Sequence, residues 1–498
     1  MNNSKSITSK LKEVGSHGMV YGLGTALESL LQILLIPLFL NKFSPVEYGA
    51  FALIQITASM AAAFFYLGGS TALNRFYFDA NTNKEAKSSF SHVLFITVVG
   101  SALMILLVFI FGEFIVNELF EELTLINTFY FLFCSFSLTI INTIFFLLIR
   151  LLKKSTWFVA LKLLSLLASI SAIVILINLM DNVIDATALG FLVGQVIVLS
   201  VMIIKYKSSV IFIFDVNLII KYLKFGIPMA LSGLLFIAID WVIRFFVNKD
   251  LGAENLGLYS MGLKLGSLIQ ACFIIPFALI WSTVRMEYRN DKNTLEFFNK
   301  VTTYYILTGF FIILIVSINI NEIISFISTE NIYEGSLIII PIILFSQLIF
   351  GTVNILDYGM YVSNKTIYYT LYYFIALLIV SIVSFFIINY IGILGAAIVH
   401  LISNIIIALL VYRESNKYFE ININYLTLLP SLLACVILFI LAKYFSESSD
   451  RDGLWQLFLK NILIVISFLG VIYMFLPALE RNEIYVVLKG KIQRLIKK

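Results

Sequence analysis

Apolar runs of twenty or more residues recur along almost the whole of this 498-residue chain. A helix needs about 20 apolar residues to cross the roughly 30 Å hydrocarbon core of a bilayer. On that basis membrane spans are expected near 18–40, 48–74, 90–112, 124–149, 156–179 and 184–204. A second set follows near 220–246, 256–284, 301–320, 335–356, 367–389 and 393–412, and two more near 426–445 and 455–477. Composition agrees: 60% of residues are hydrophobic and 13% charged, and mean hydropathy is +0.99. A soluble domain carries about a quarter charged residues and must cover its core with polar surface. The fold class expected is therefore an all-α polytopic membrane protein of about fourteen helices.

Loop charges test this count independently. With a cytoplasmic N-terminus, the inner segments carry 26 of the 34 basic residues, while the outer loops hold four: Lys42, Lys249, Lys443 and Arg451. The outer segment with Glu113, Glu118, Glu121 and Glu122 has no basic residue. Such alternation would collapse if one span were missed or invented, so both termini are expected in the cytoplasm. The first apolar run is too long for a cleavable signal and lacks a small-residue cleavage site, so it stays as a span. Cys134, Cys272 and Cys435 lie far apart in apolar runs and read as small core residues.

A corner repeats. Asn41-Lys42, Glu47 and Gly49 recur as Asn248-Lys249, Glu254 and Gly257, at offsets of 207 and 208, between apolar helices both times. Duplicated membrane bundles are mostly transporters, and six spans per half make these parallel repeats. The expected organisation is a six-helix bundle over 1–204, a cytoplasmic linker over 205–224 and a second six-helix bundle over 225–412. Two extra helices over 413–478 and a basic tail over 479–498 complete it. In that tail Ile484, Leu488, Ile492 and Leu495 share one face. It reads either as an interfacial amphipathic helix or as a basic tail that fixes topology.

Charged side chains within spans are few and include Glu28, Lys162, Asp240, Arg244 and Lys264, with His400 as a further titratable group. Lipid-facing placement would cost about 2.5–3.5 kcal/mol each on insertion scales, so they are expected to face a cavity or one another. Asp240 and Arg244 stand four apart on one helical face. They form either a structural pair or a site in which Arg244 meets an anionic head group. Glu28 suits ion coupling, or a silent hydrogen bond to a neighbouring helix. Lys162 is placed to snorkel, and Lys264 either snorkels or lines the cavity. Arg75 and Arg285, at matching inner span ends, either anchor topology or attract a diphosphate. Pro37, Pro228, Pro276 and Pro341 permit bending. No nucleotide-binding loop, metal-ligand cluster or hydrolytic triad is visible, so no cofactor is expected and transport would draw on an ion gradient, on membrane potential or on the substrate's own downhill use.

The segment Asn41-Lys42-Phe43-Ser44-Pro45-Val46-Glu47-Tyr48-Gly49 resembles the first loop of bacterial polysaccharide and oligosaccharide flippases of the Wzx type. Leu67-Gly68-Gly69-Ser70-Thr71-Ala72-Leu73-Asn74-Arg75 is similar to their second-span ending. Asp240 followed by Gly257-Leu258-Tyr259 is similar to the family's seventh-span Asp and later Gly-x-Tyr. The resemblance runs over about 21–412. It implies a V-shaped pair of bundles like the multidrug antiporters of the same superfamily. A cavity between them would carry an undecaprenyl-diphosphate-linked glycan (O-antigen or capsule repeat unit) across the inner membrane. On that reading Arg244, Lys264, Arg75 and Arg285 would hold diphosphate and sugar. Glu28 and Asp240 would couple to a proton or sodium gradient. Partners would be the lipid-linked substrate, the bilayer and the pathway's glycosyltransferases and polymerase, with no nucleic acid.

A cation-coupled multidrug antiporter and a lipid II flippase are the alternatives within transporters. The former predicts a cavity rich in acids and aromatics with little positive charge. A membrane glycosyltransferase or polymerase would need a large outer loop with catalytic Arg or acidic residues. Every outer loop here is shorter than about 20 residues.

Overall fold

The structure is a computed structural model and describes residues 33–120, 123–211, 215–288, 293–327, 332–363, 365, 367–447, 454–478 and 481. Glu28, most of the first span and the amphipathic tail fall outside these residues. Among the described residues there are helices and no strands.

The principal helices are α1 (Ile36–Lys42), α2 (Pro45–Phe65), α3 (Gly69–Phe78), α4 (Asn83–Phe120), α5 (Ile126–Leu151), α6 (Ser155–Ile177) and α7 (Val183–Tyr206). After the central break come α8 (Val216–Gly266), α9 (Ile275–Glu287), α10 (Thr294–Ile318), α11 (Ile320–Ile327), α12 (Ile340–Leu356) and α13 (Tyr358–Val362). The chain continues with α14 (Tyr368–Ile391), α15 (Ile393–Ser415), α16 (Tyr425–Glu447) and α17 (Leu454–Phe475). Eleven helical stretches of the described residues are long and apolar enough to cross a membrane, and Ile33–Lys42 and Lys460–Phe475 are shorter apolar helices.

The longest stretch, Val216–Ser282, has 67 residues. At 1.5 Å per residue it would overshoot any bilayer as a single rod. It is two crossings. Gly252 takes φ 83° and ψ 171° inside α8, a conformation that glycine adopts without Cβ strain. Ile239, Ile243 and Val247 before it share one core with Leu256, Tyr259 and Leu263 after it, so the chain doubles back there. The arms 216–251 and 253–266 are α8a and α8b below. Helices also extend past the spans read from hydropathy. α4 runs 38 residues, and within the break expected over 205–224 α7 continues to Tyr206 and α8 starts at Val216. Apolar content marks the hydrocarbon limits, whereas a helix continues into water wherever caps such as Asp215, whose carboxylate accepts from the Asn217 backbone N–H at 2.8 Å, support it.

The duplication organises the packing. α4 to α7 pack on one another beside α2, and α8, α12, α14 and α15 form the corresponding second lobe. The seam between lobes is α2 against α8. Its two repeated corners touch each other. A Cβ on Gly49 would stand 2.3 Å from the Ala253 carbonyl oxygen, and one on Gly257 would stand 1.7 Å from that of Pro45. Only glycine fits at such separations. Further along the seam Trp241 Nε1 donates to Thr57 Oγ1 at 2.9 Å. At its far end Gly68, with φ 71°, abuts the Gly226 carbonyl. The Glu of the first corner caps a helix. Ser44 and Glu47 form a reciprocal capping box at the start of α2, a device that contributes about 1 kcal/mol.

Segments assigned to opposite membrane faces gather at opposite ends. Tyr333 donates to the Phe43 carbonyl at 2.9 Å, and Asn248 to that of Leu119 at 2.9 Å. At the other end Lys87 reaches the Ser208 carbonyl at 3.0 Å, and Asn422 N–H donates to Asn299 at 2.9 Å. α16 packs on α10 and α17 on α16, tied by a reciprocal amide pair between Asn319 and Asn461 at 3.0 and 2.8 Å. Large side chains such as Phe114 (69% exposed) and Leu426 (84%) stand on the outside. Apolar surface on this scale requires lipid as its solvent.

The chain between the lobes is docked on α4 by His92, which is buried. His92 Nδ1 lies 2.8 Å from the Ser88 carbonyl oxygen, which can only accept, so Nδ1 carries the proton. Nε2 then accepts from the Asp215 backbone N–H at 3.2 Å. A His92→Leu chain keeps the volume but strands that N–H. It should lose about 1–3 kcal/mol of stability, read as a lower unfolding temperature in detergent; an unchanged transition would show that the docking contributes nothing.

Candidate functional site

Where the lobes meet, a cavity of about 490 Å³ opens. The first lobe contributes Phe39 and Tyr48 near the corner, Gln55 from α2, Ser169 from α6 and Gln195 from α7. The second contributes Asp240 and Arg244 from α8a, Lys264 from α8b, Gln347 from α12, and His400 and Asn404 from α15. A polar hollow inside an apolar bundle is where charged residues of membrane helices are tolerated.

Asp240 and Arg244 pair at 3.3 Å, with side chains 29% and 14% exposed. The i, i+4 spacing on α8a makes this possible. Arg244 reaches further: its Nη1 donates to the Ala52 carbonyl of α2 at 3.1 Å, across the seam. Its Nε, Asp240 Oδ1, Tyr259 OH and Ser260 Oγ are buried and without a protein partner among the described residues. Buried polar atoms are almost always paired; these four lie on the two arms of α8, and Asp240, Arg244 and Ser260 line the cavity.

Lys264 lines the main cavity and also a second hollow of about 110 Å³, bounded by Ile33, Ile36, Leu268, Ala271 and Ile275. Ser267 and Gln270 are shared in the same way, so the cavity adjoins a smaller hollow of mixed polar and apolar lining beside the end of the first span. A π-helical turn at Gln270–Ile274 precedes Pro276 there; such turns often sit at functional positions.

Arg75 and Arg285 are not among the lining residues. Arg75 is an exposed residue of α3, 3.9 Å from Asp79 and stacked over the Phe225 ring at 4.4 Å. Arg285 pairs with Asp357 at 3.0 Å and lies over Tyr361 at 4.4 Å. The structure thus brings Arg244 and Lys264 together and leaves Arg75 and Arg285 at the end of the bundle assigned to the cytoplasm. Lys162 stands over the Phe146 ring at 4.6 Å.

Sequence reasoning under-weighted two features. His400 lines the cavity, with Nδ1 2.9 Å from Ser346 Oγ, and that hydroxyl also accepts from Asn404 Nδ2 at 2.8 Å. The five amides Gln55, Gln195, Gln270, Gln347 and Asn404 also line it. Each is an uncharged polar residue within an apolar run, a signal that becomes informative only when helices are superposed. No group of three metal-ligating residues occurs among the described residues.

A two-lobed helical membrane bundle whose polar cavity lies on the seam between repeats is the build of a transporter. The model of the polysaccharide biosynthesis protein family matches residues 14–281, more than half of the chain, and the chain belongs to that family. Among solved structures, the lipid II flippase MurJ in an inward closed conformation matches with a TM-score of 0.70. That match has 16% identity and covers 92% of this chain and 99% of that one. An inward-facing multidrug resistance MATE transporter of the MOP superfamily matches at 0.61, with 14% identity over 78% of this chain and 94% of that one. An outward-facing MATE transporter matches at 0.54, with 14% identity over 82% and 95%. No curated protein matches in sequence. The likeness expected from the repeated corner is met in family and in fold: the chain belongs to the polysaccharide biosynthesis protein family and has a MurJ- and MATE-like fold.

Proposed function

We propose that the chain carries an undecaprenyl-diphosphate-linked oligosaccharide, an O-antigen or capsule type of repeat unit, from the inner to the outer leaflet of the bacterial cytoplasmic membrane. The observation that carries this reading is the cavity on the seam between the lobes, whose described lining sets Arg244 and Lys264 among five amides. A head group bearing phosphate needs cations and hydrogen-bond donors. Its polyprenyl tail needs an apolar way out to the bilayer, because each buried methylene favours lipid by about 0.8 kcal/mol. Arg244 and Lys264 supply the cations, and the amides the donors. Membership of the polysaccharide biosynthesis family supports a glycan as cargo. A multidrug antiporter needs a cavity dominated by acids. Here the described lining has two cations to one carboxylate.

Transport proceeds by alternating access, with the glycine-packed corners closing one end of the seam while the cargo is held. Asp240 and Glu28 are the proposed coupling groups for a proton or sodium gradient, and both termini lie in the cytoplasm. Arg75 and Arg285 collect the diphosphate at the inner mouth. Glycosyltransferases supply the lipid-linked unit, and a polymerase consumes it.

Deletion of the gene should cause lipid-linked repeat units to accumulate on the inner leaflet and surface polysaccharide to disappear. The check is mass spectrometry of extracted lipids together with labelling of intact and opened cells. Normal surface polysaccharide without accumulation would sink the proposal.

A further inference from the structure

We infer that the cavity selects a repeat unit whose sugars carry no charge, so that the diphosphate is the cargo's only anionic group. The inference rests on the flippase reading above and goes beyond it to the class of glycan.

Among the described residues three formally charged side chains line the cavity: Asp240, Arg244 and Lys264. Arg244 is held by Asp240 at 3.3 Å, and Lys264 pairs with no described carboxylate. The described lining therefore offers one net positive charge. A diphosphate diester already brings more negative charge than that. A uronic acid or other acidic sugar would add a carboxylate with no cation left to meet it and with Asp240 close by. Exclusion by an unpaired like charge is a strong form of selectivity.

The rest of the wall suits neutral sugars. Hydroxyls donate and accept at once, and so do amides. The amides are held in fixed orientations. Gln195 Oε1 accepts from Asn142 Nδ2 at 2.8 Å, which turns its NH₂ group free to donate. Gln270 donates to Gln347. Phe236 and Phe350, both lining the cavity, stack on each other at 5.1 Å with an interplanar angle of 20° and present an aromatic surface to the apolar face of a pyranose. Amides on one side and aromatics on the other orient a sugar without using charge.

The test uses the full-length chain in proteoliposomes and two synthetic probes. One is a fluorescently labelled undecaprenyl-diphosphate trisaccharide of neutral sugars; the other is identical except that its terminal glucose is glucuronic acid. Initial flipping rates are compared under the same ion gradient. The neutral probe should move at least about tenfold faster. Gln195→Lys should shrink that ratio by raising the acidic probe's rate, and Gln55→Lys serves the same purpose if the first variant does not fold. Equal or faster movement of the acidic probe in the wild type would overturn the inference while leaving the flippase reading intact. So would a ratio that neither lysine variant moves. If neither probe moves in the wild type, the flippase reading falls and this inference falls with it.

Discussion

Gly257→Val should abolish export while the protein still reaches the membrane in normal amount. A Cβ at this position would sit 1.7 Å from the Pro45 carbonyl oxygen and 2.9 Å from its Cα. Those are backbone atoms and cannot rotate aside. Overpacking ordinary cores costs about 1–3 kcal/mol, and a clash with fixed backbone lies at or above the upper end. The cost falls only on conformations in which the two corners touch. About 3 kcal/mol would shift the ratio of closed to open seam by more than 100-fold, enough to stop an alternating cycle. Two readouts check this: surface polysaccharide, and labelling of Tyr48→Cys by a membrane-impermeant maleimide. Tyr48 is 5% exposed beside the corner, so its labelling should rise when the corners are forced apart. Gly233→Ala is the control, since nothing lies within 4 Å of its Cβ position and helical alanine is favoured by about 0.5–1 kcal/mol. Wild-type export by the Gly257→Val chain would show that the corners never need to close.

The repeated corner made the architecture legible because its residues are fixed by backbone geometry. Glu47 caps a helix, and Gly49 and Gly257 are where two helix ends approach too closely for any side chain. Such requirements survive duplication. The apolar runs and the alternation of Lys and Arg gave the crossings for a similar reason, since the bilayer imposes one length and one charge rule on every helix. Helix ends were less legible: α4 and α8a continue beyond the hydrocarbon, where hydropathy says nothing about helicity.

The cavity was legible in its charges and not in its amides. Asp240, Arg244 and Lys264 stand out because a charge inside a span must have a reason. Gln195 and Gln347 do not, since a lone amide on a membrane helix satisfies itself through any neighbour. Arg75 and Arg285 were legible as matching cations at inner span ends, but not their neighbours: one stacks on Phe225 and the other pairs with Asp357. Repeat symmetry places backbones; the partners nearby decide where a long side chain goes.

Arg244→Gln should cost both stability and transport, and the double variant Asp240→Asn/Arg244→Gln should recover the first without the second. The single change leaves the Asp240 carboxylate, 29% exposed and with one oxygen already unpaired, without its cation. Removing one member of a buried pair typically costs about 2–5 kcal/mol, much of it from the charge left behind. Neutralising both members removes that penalty, so the unfolding temperature in detergent should return close to wild type. Transport should stay at least about tenfold down, because the guanidinium that both reaches the Ala52 carbonyl across the seam and faces the cavity is gone. Lys264→Met separates the two effects from the other side. With no described carboxylate partner to strand, it should leave stability unchanged or slightly raised, yet transport should still fall. Recovery of transport in the double variant, in step with stability, would assign the Asp240–Arg244 pair to insertion and packing alone and move the search for the phosphate site to Lys264.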